Sequence, residues 1–155
     1  MFNVGDKVFY PRHGAGIIVE REWSEVSGER REYLRIHIPA SRLEVRIPLS
    51  SAEKLGLRAL VGKEELMRIL GKSEQWSPKR DVSWKKRFEE NLEIIRQGDF
   101  KQMAAAFREL YLHNKEKPLN ASEKVLLNDM KQLLIGEICM VIGIDEEGAE
   151  KLICS

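Results

Sequence analysis

The sequence predicts an α+β protein, in which a small antiparallel β-barrel over residues 1–50 is followed by an all-α bundle over residues 51–155. The first observation behind this prediction is that apolar residues recur with a period of two in the first fifty positions, as in half-buried strands. The second is that the period becomes that of an amphipathic helix from about residue 51. The third is that glycine and proline divide both halves into short elements.

The predicted strands cover residues 7–11, 16–22, 31–38 and 43–48. Each is short, rich in β-branched and aromatic residues, and bounded by turn residues. In the third strand, alternate apolar residues from Leu34 to Ile38 predict the buried face. Ser27 and Gly28 suit a hairpin turn between the second and third strands. Pro48 cannot donate a hydrogen bond to a ladder, so the fourth strand is expected to end there or to lie along an edge.

Helical segments are predicted at residues 51–55 (a single turn), 63–70, 84–97, 121–142 and 144–153 (weakly held), with one more between Asp99 and Pro118. Ser83, Asp99 and Asn120 are typical N-cap residues, and each stands just before a predicted helix. Residues 71–81 are predicted to form a loop, because Pro78 disfavours helix at the residue before it. The second half is therefore predicted to be a helical bundle of modest size.

The bulk composition bounds the class of protein. With 155 residues, 43% of them hydrophobic and 33% charged, the chain is long enough for one ordinary domain or two small ones. Its net charge of +1 excludes a molecule-wide basic field, so any attraction to nucleic acid must come from a local patch. No apolar run approaches a membrane span and nothing at the N-terminus resembles a signal peptide. We therefore expect a cytoplasmic protein with no membrane partner.

Motifs that would indicate catalysis are missing from the sequence. "GKS" at residues 71–73 resembles the end of a P-loop, but the first glycine of that motif would have to stand at Leu66. The three histidines and two cysteines have no partners at metal-ligand spacing. "PRHGAG" at residues 11–16 is interpreted as a tight turn in which Gly14 and Gly16 supply unusual φ angles. We expect no enzymatic activity, no cofactor and no metal site.

A basic cluster surrounds a tryptophan at the start of the helix predicted at residues 84–97. The single acid Asp81 stands among Lys79, Arg80, Lys85, Lys86 and Arg87. Basic side chains at a helix start oppose the macrodipole, at a cost of about 0.3–1 kcal/mol each when exposed, so helix stability alone does not explain them. Contact with phosphate is a plausible use for these charges.

Trp84 has two interpretations. In the first it opens the apolar stripe of its helix, which continues through Phe88 and Leu92 to Ile95, and belongs to the core. In the second it stays partly exposed and wedges against bases, as apolar side chains of minor-groove binders do. Residue types alone favour a core position for Trp84. The flanking charges weaken this preference but do not reverse it. Trp23 and Trp76 are interpreted as packing residues.

Five segments occur in order along the whole chain: "VGDKVFYPRHGAGII", "EYLRIHIP", "LEVRIP", "SWKKRFEENLEII" and "NASEKVLLNDMKQLLIGEI". Together they make the chain similar to the CarD/CdnL family of bacterial transcription regulators, although any one of them alone is a weak signal. The resemblance implies a Tudor-like or SH3-like N-terminal β-domain that binds the β subunit of RNA polymerase. It also implies a helical domain that contacts promoter DNA near the −10 element, and a non-enzymatic role in stabilising the open promoter complex.

The resemblance also assigns roles on the DNA side. It implies that Trp84 wedges into the minor groove at the upstream edge of the −10 element. Lys86, Arg87 and Lys124 would hold phosphates, and Lys85 belongs to the same basic turn. Where some relatives carry a basic residue one turn into this helix, this chain has Glu89.

On the polymerase side, the resemblance implies contact along the strand edge from Leu43 to Pro48, which includes Val45. The Arg46 side chain would reach the β subunit, and the neighbouring strand at Tyr33 and Arg35 would lie close by. The chain departs from a relative by carrying Ser24 near this surface, where that relative has a basic residue.

Two other functions stay open. The chain could be a polymerase- or protein-interaction module without direct DNA contact, since its small barrel is similar to the polymerase-binding domain of the transcription-repair coupling factor. That factor continues into helicase motifs that are absent here. An RNA-binding barrel ranks last, because the barrel's arginines are interleaved with glutamates. We expect the protein to be a monomer.

Overall fold

The structure is a computed structural model that describes residues 2–71 and 83–154. The chain divides into two compact units, Met1–Leu60 and Val61–Ser155. The first unit contains the strands β1 Lys7–Tyr10, β2 Gly14–Val26, β3 Glu29–Ile38, β4 Leu43–Pro48 and β5 Arg58–Ala59. The second contains the helices α1 Lys63–Gly71, α2 Trp84–Gln97, α3 Phe100–Glu116, α4 Ala121–Ile142 and α5 Glu146–Cys154.

The sheet of the N-terminal unit is antiparallel throughout, in the order β4-β3-β2-β1-β5. The predicted α+β class is confirmed, but the described strands form an open sheet and do not close into a barrel, so β4 and β5 are its edges. The predicted hairpin is also confirmed. Ser27 and Gly28 have φ angles of 54° and 80°, as the turn between two tightly paired, right-twisted strands requires.

The predicted buried face of the third strand forms the core of this sheet. Leu34, Ile36 and Ile38 have no exposed surface and pack with Ile18 and Ile47. Since successive side chains alternate across a strand, the residues between them lie on the opposite, outer face. That alternation places Arg35 of β3 on the outside of the sheet together with Glu44 and Arg46 of β4.

Gly14 and Gly16, which the sequence assigns to a turn after β1, serve different purposes at the start of β2. Gly14 has a φ of 104° and takes the unusual backbone conformation that was predicted. Gly16 lies within β2, where a Cβ atom would stand 2.5 Å from the carbonyl oxygen of His37. Gly16 is therefore required by the close approach of β3, and the predicted role for it in the turn is wrong.

The N-terminal unit continues past residue 50, where the sequence placed the boundary. After a single 3-10 turn at Leu49–Ser51, the chain returns to pair β5 with β1, with Ala59 opposite Val8. Ten further residues therefore belong to this unit, which ends at Leu60. A strand of two residues is too short to show a hydrophobic period, so it could not be predicted from the sequence.

The helical unit follows the predicted pattern of starts and stops. The side chains of Ser83, Asp99 and Asn120 accept hydrogen bonds from backbone N–H groups at 3.3, 3.0 and 2.9 Å, so all three N-caps are confirmed. The last helix, predicted to be weakly held, buries Ala149 and Ile153. The predicted loop at residues 71–81 lies almost entirely outside the described residues.

Helix α2 is oriented differently from the prediction. Its buried residues are Arg87 and Asn91, whereas Phe88, Leu92 and Ile95 of the predicted core stripe are only half-buried. The physical reason is a charged partner on another helix, because Glu123 of α4 draws the Arg87 side of α2 inward. An apolar stripe predicts the buried side only when no such pair competes with it.

Candidate functional site at a basic helix start and a charged strand edge

The first turn of α2 presents Trp84 at the surface. Its side chain is 43% exposed, and its ring meets the edge of Phe88 with centroids 6.5 Å apart and planes inclined at 68°. This is the edge-to-face arrangement that aromatic pairs prefer. Of the two interpretations of Trp84, the structure favours the partly exposed one. The ring is braced on one side by its own helix and open on the other.

Exposed lysines surround this ring. Lys85 and Lys86 follow it directly, and the Lys85 ammonium lies 6.0 Å from the Trp84 ring centroid. Neither lysine forms an ion pair with any residue that the structure describes, so both charges are available to a partner. Lys79 and Arg80, which the sequence placed in the same cluster, lie outside the described residues.

Arg87 is placed differently from the lysines. Its side chain is 10% exposed and donates two hydrogen bonds to the carboxylate of Glu123, at 2.7 and 2.8 Å. This paired geometry raises the pKa of Arg87 above its ordinary value. That Arg87 holds phosphate stays a prediction, and its guanidinium is engaged by Glu123 inside the helical unit.

Lys124 stands beside Glu123 in the first turn of α4 and is exposed. The Arg87–Glu123 pair joins the first turns of α2 and α4, so it brings Lys124 to the same end of the unit as the start of α2. We call Trp84, Lys85, Lys86 and Lys124 the basic helix-start surface. It combines a half-exposed aromatic ring with exposed cations, the side-chain chemistry that recognises bases and phosphates.

The free edge of β4 carries the second candidate surface. Arg46 is 50% exposed, its guanidinium lies 4.9 Å from the Tyr33 ring centroid, and Glu22 is 3.5 Å from its Nε. Pro48 lies opposite Tyr33 at the end of the ladder. Val45 packs against the core, so at the edge it offers mainly its backbone groups. The prediction that this strand lies along an edge is confirmed.

Arg35 lies opposite Arg46 and is held by acidic residues. Glu44 and Glu22 each approach its guanidinium at 2.9 Å, and Glu20 forms a further close ion pair. The hydrogen bonds to Glu20 first, and to Glu44 after it, raise the pKa of Arg35. Arg35 therefore organises the outer face of the sheet, while Arg46 is the more exposed of the two arginines. We call the outer side of β4 with Tyr33 and Arg35 the strand-edge surface.

Sequence reasoning missed the acidic members of both sites. Glu123 fits the capping pattern that begins at Asn120, but nothing in the sequence pairs it with a residue 36 positions earlier. Trp23 was wrongly interpreted as a packing residue. It is 58% exposed near the hairpin turn, with the Arg30 guanidinium 5.1 Å from its ring centroid. Trp76 lies outside the described residues.

Two further sequence expectations concern metals and membranes. In the part of the chain that the structure describes, no group of three or more His, Cys, Asp or Glu residues could hold a metal ion. No helix there has the length and apolar character needed to span a membrane. Cys139 and Cys154 are half-buried free thiols, and burial raises the pKa of each.

Comparison with known proteins agrees with this two-unit architecture. Residues 2–61 match the family model described as the CarD-like/TRCF RID domain, and residues 65–154 match the model of the CarD C-terminal domain. YdeB of Bacillus subtilis (strain 168), named as a candidate transcription factor, is 35% identical over 147 residues, covering 95% of this chain and 96% of YdeB. An antiparallel sheet with a helical unit and these relatives define a transcription factor of the CarD type.

The N-terminal domain of Myxococcus xanthus CarD, solved by solution NMR, is a more distant structural match. It is 24% identical with a TM-score of 0.33, over 38% of this chain and 79% of that domain. Because the two family models together match nearly the whole chain, the protein belongs to the CarD/CdnL family.

Proposed function

We propose that this transcription factor binds the β subunit of RNA polymerase through the strand-edge surface and promoter DNA through the basic helix-start surface. The DNA target is the upstream edge of the −10 element, and the result is a longer-lived open promoter complex. The observation that carries the proposal is Trp84, which is 43% exposed in a turn that also exposes Lys85 and Lys86. Family membership supports transcriptional regulation in general.

On the DNA side, Trp84 is the wedge and the lysines hold phosphates. Inserting a side chain between stacked bases costs a few kcal/mol in closed duplex, and less where the polymerase has begun to melt the DNA. A factor that binds the opened state more tightly shifts the equilibrium by that difference in affinity alone. A rigid, braced ring such as Trp84 loses little conformational entropy when it inserts.

On the polymerase side, the free backbone groups of β4 can pair with a strand of the partner. An unpaired strand edge is a ready template for such pairing, and side chains beside it supply specificity. Arg46 is the side chain best placed to reach across, because it is half-exposed and backed by the Tyr33 ring. Arg35 and its acidic partners shape the surface around it.

The DNA arm is tested by the lifetime of open complexes formed with the cognate polymerase. We expect wild-type protein to lengthen the lifetime and Trp84→Ala to lose that effect while still binding polymerase. Trp23→Ala is the matched control, since it removes another exposed tryptophan from the other unit. An undiminished lifetime with Trp84→Ala would show that Trp84 is not the wedge.

The polymerase arm is tested by a pull-down with the β subunit. Arg46→Glu is expected to abolish capture, because it reverses the charge at the centre of the strand-edge surface. Arg68→Glu makes the same charge change at an exposed position of α1 and is expected to bind normally. Equal capture of both variants would remove Arg46 from the interface.

An interaction module without direct DNA contact is the second candidate function. It is favoured by the half-buried apolar side of α2, formed by Phe88, Leu92 and Ile95, which a protein partner could cover. A photocrosslinker placed at Lys86 in the promoter complex separates the two candidates. Crosslinks to promoter DNA would contradict the module, and crosslinks to protein alone would contradict the DNA arm.

A further inference from the structure

Among the ion pairs between described residues of the helical unit, Arg87–Glu123 stands out because both partners are buried. The side chains are 10% and 1% exposed, and both ends of the guanidinium fork are occupied by the two carboxylate oxygens. A buried pair of this kind often adds no more stability than apolar residues of similar size, because removing the charges from water is costly. What it adds is a fixed, directional geometry between two elements.

The Arg87–Glu123 pair fixes the first turn of α2 against the first turn of α4. Arg87 lies one turn from Trp84 in α2, and Glu123 directly precedes Lys124 in α4. Glu123 is itself fixed, since its backbone N–H donates to the Asn120 cap at 2.9 Å. The pair therefore sets the distance and rotation between the two turns that carry all four residues of the basic helix-start surface.

We propose that Arg87 and Glu123 are positioning residues, which hold Trp84, Lys85 and Lys86 in register with Lys124 so that all four can meet one DNA duplex. This inference rests on the proposed DNA contact and deepens it. Arg87, although it is a basic residue of the same cluster, then makes no phosphate contact of its own. The acidic residue Glu123 becomes necessary for binding a polyanion.

A direct phosphate contact by Arg87 and a positioning role for the pair predict opposite changes in DNA affinity, and this difference provides the test. If Arg87 held phosphate, neutralising Glu123 would release its guanidinium and remove a nearby negative charge, so DNA affinity would rise. If the pair positions the surface, the same change lets the two turns move apart and DNA affinity falls. Glu123→Gln, which keeps the size of the side chain, distinguishes the two.

The experiment measures the Kd of the full chain for a fluorescent duplex with a melted segment, as a function of salt concentration. Glu123→Gln is expected to weaken binding on the order of tenfold, the coupling found between residues of one network. The charge swap of Arg87→Glu with Glu123→Arg restores the pair in reverse and is expected to recover most of the affinity. Recovery by the swap is not expected of a residue that contacts phosphate directly.

Lys86→Ala is the control for a direct phosphate contact. It is expected to reduce the slope of log affinity against log salt by about 0.9, the value for one phosphate. If wild type and Lys86→Ala bind with the same affinity and slope, the proposed DNA contact itself is wrong, and the positioning role falls with it. If Lys86→Ala behaves as expected but Glu123→Gln binds as tightly as wild type or more tightly, only the positioning role is overturned.

Far-UV circular dichroism at the assay temperature confirms that each variant is folded. If Glu123→Gln is unfolded, the folded swap variant decides the question. Wild-type affinity in the swap supports the positioning role, whereas affinity near that of non-specific binding overturns it.

Discussion

Replacing Trp84 with alanine separates packing from DNA contact, because the ring is neither fully buried nor free. Truncating a fully buried tryptophan costs about 3–5 kcal/mol of stability. Trp84 is 43% exposed, so somewhat more than half of that loss applies. We expect Trp84→Ala to lower the free energy of unfolding of the helical unit by about 1.5–3 kcal/mol, including the contact with Phe88.

Urea denaturation followed by far-UV circular dichroism measures this loss. At the temperature of the open-complex assay the variant should remain folded, so a lost effect on lifetime would report on DNA contact. A loss above about 4 kcal/mol would show that the ring belongs to the core and that the exposed geometry is wrong. No measurable loss would show that the ring does not rest on Phe88. Trp84→Phe is the graded control, since it keeps an aromatic ring at the same place.

The remaining predictions concern the buried pair, a glycine and a thiol. In urea denaturation, Glu123→Ala is expected to lower the free energy of unfolding by about 3–5 kcal/mol, because it leaves Arg87 buried and unpaired. The double variant Arg87→Met with Glu123→Leu should lower it far less, and equal losses for the two variants would contradict this. Gly16→Ala is expected to lower the free energy of unfolding by about 1–3 kcal/mol, since the new Cβ would lie 2.5 Å from the His37 carbonyl oxygen. An unchanged melting temperature would contradict this prediction. Burial raises the pKa of Cys139, so fewer molecules carry the thiolate near neutral pH. Iodoacetamide should therefore alkylate Cys139 more slowly than it alkylates an unstructured cysteine peptide. Equal alkylation rates at about pH 8 would refute the burial argument.

The sequence predicted the structure well wherever neighbouring residues decide it, as in the alternation of buried and exposed side chains along a strand or the residue that caps a helix. The buried face of β3, the three N-caps and the edge position of β4 were all predicted from local residue types. It failed where a contact joins distant residues. Arg87 and Glu123 are 36 positions apart, and their attraction turns α2 away from the side that its apolar stripe predicts. Trp23 was misjudged for a similar reason, because its exposure depends on the hairpin extending past β4.

In the proposed function, the internal pairing of Arg87 leaves the described part of the helical unit with few cations for DNA contact. With Arg87 neutralised by Glu123, the cations left on the basic helix-start surface are Lys85, Lys86 and Lys124. Three phosphate contacts give a salt slope of only about −2.7, which predicts weak binding at physiological salt. Weak binding is sufficient if the strand-edge surface first fixes the protein on polymerase, because the second contact is then intramolecular.

The DNA contact of the basic helix-start surface therefore depends on polymerase binding by the strand-edge surface. Arg46→Glu leaves every residue of the basic helix-start surface in place, yet it should abolish the effect on open-complex lifetime at protein concentrations where wild type acts. Raising the concentration of Arg46→Glu should restore only part of the effect, since the DNA contact must then form without the tether. Full activity of Arg46→Glu at low concentration would mean that the helical unit finds the promoter by itself. The proposed division of labour between a tethering sheet and a weakly binding helix start would then be wrong.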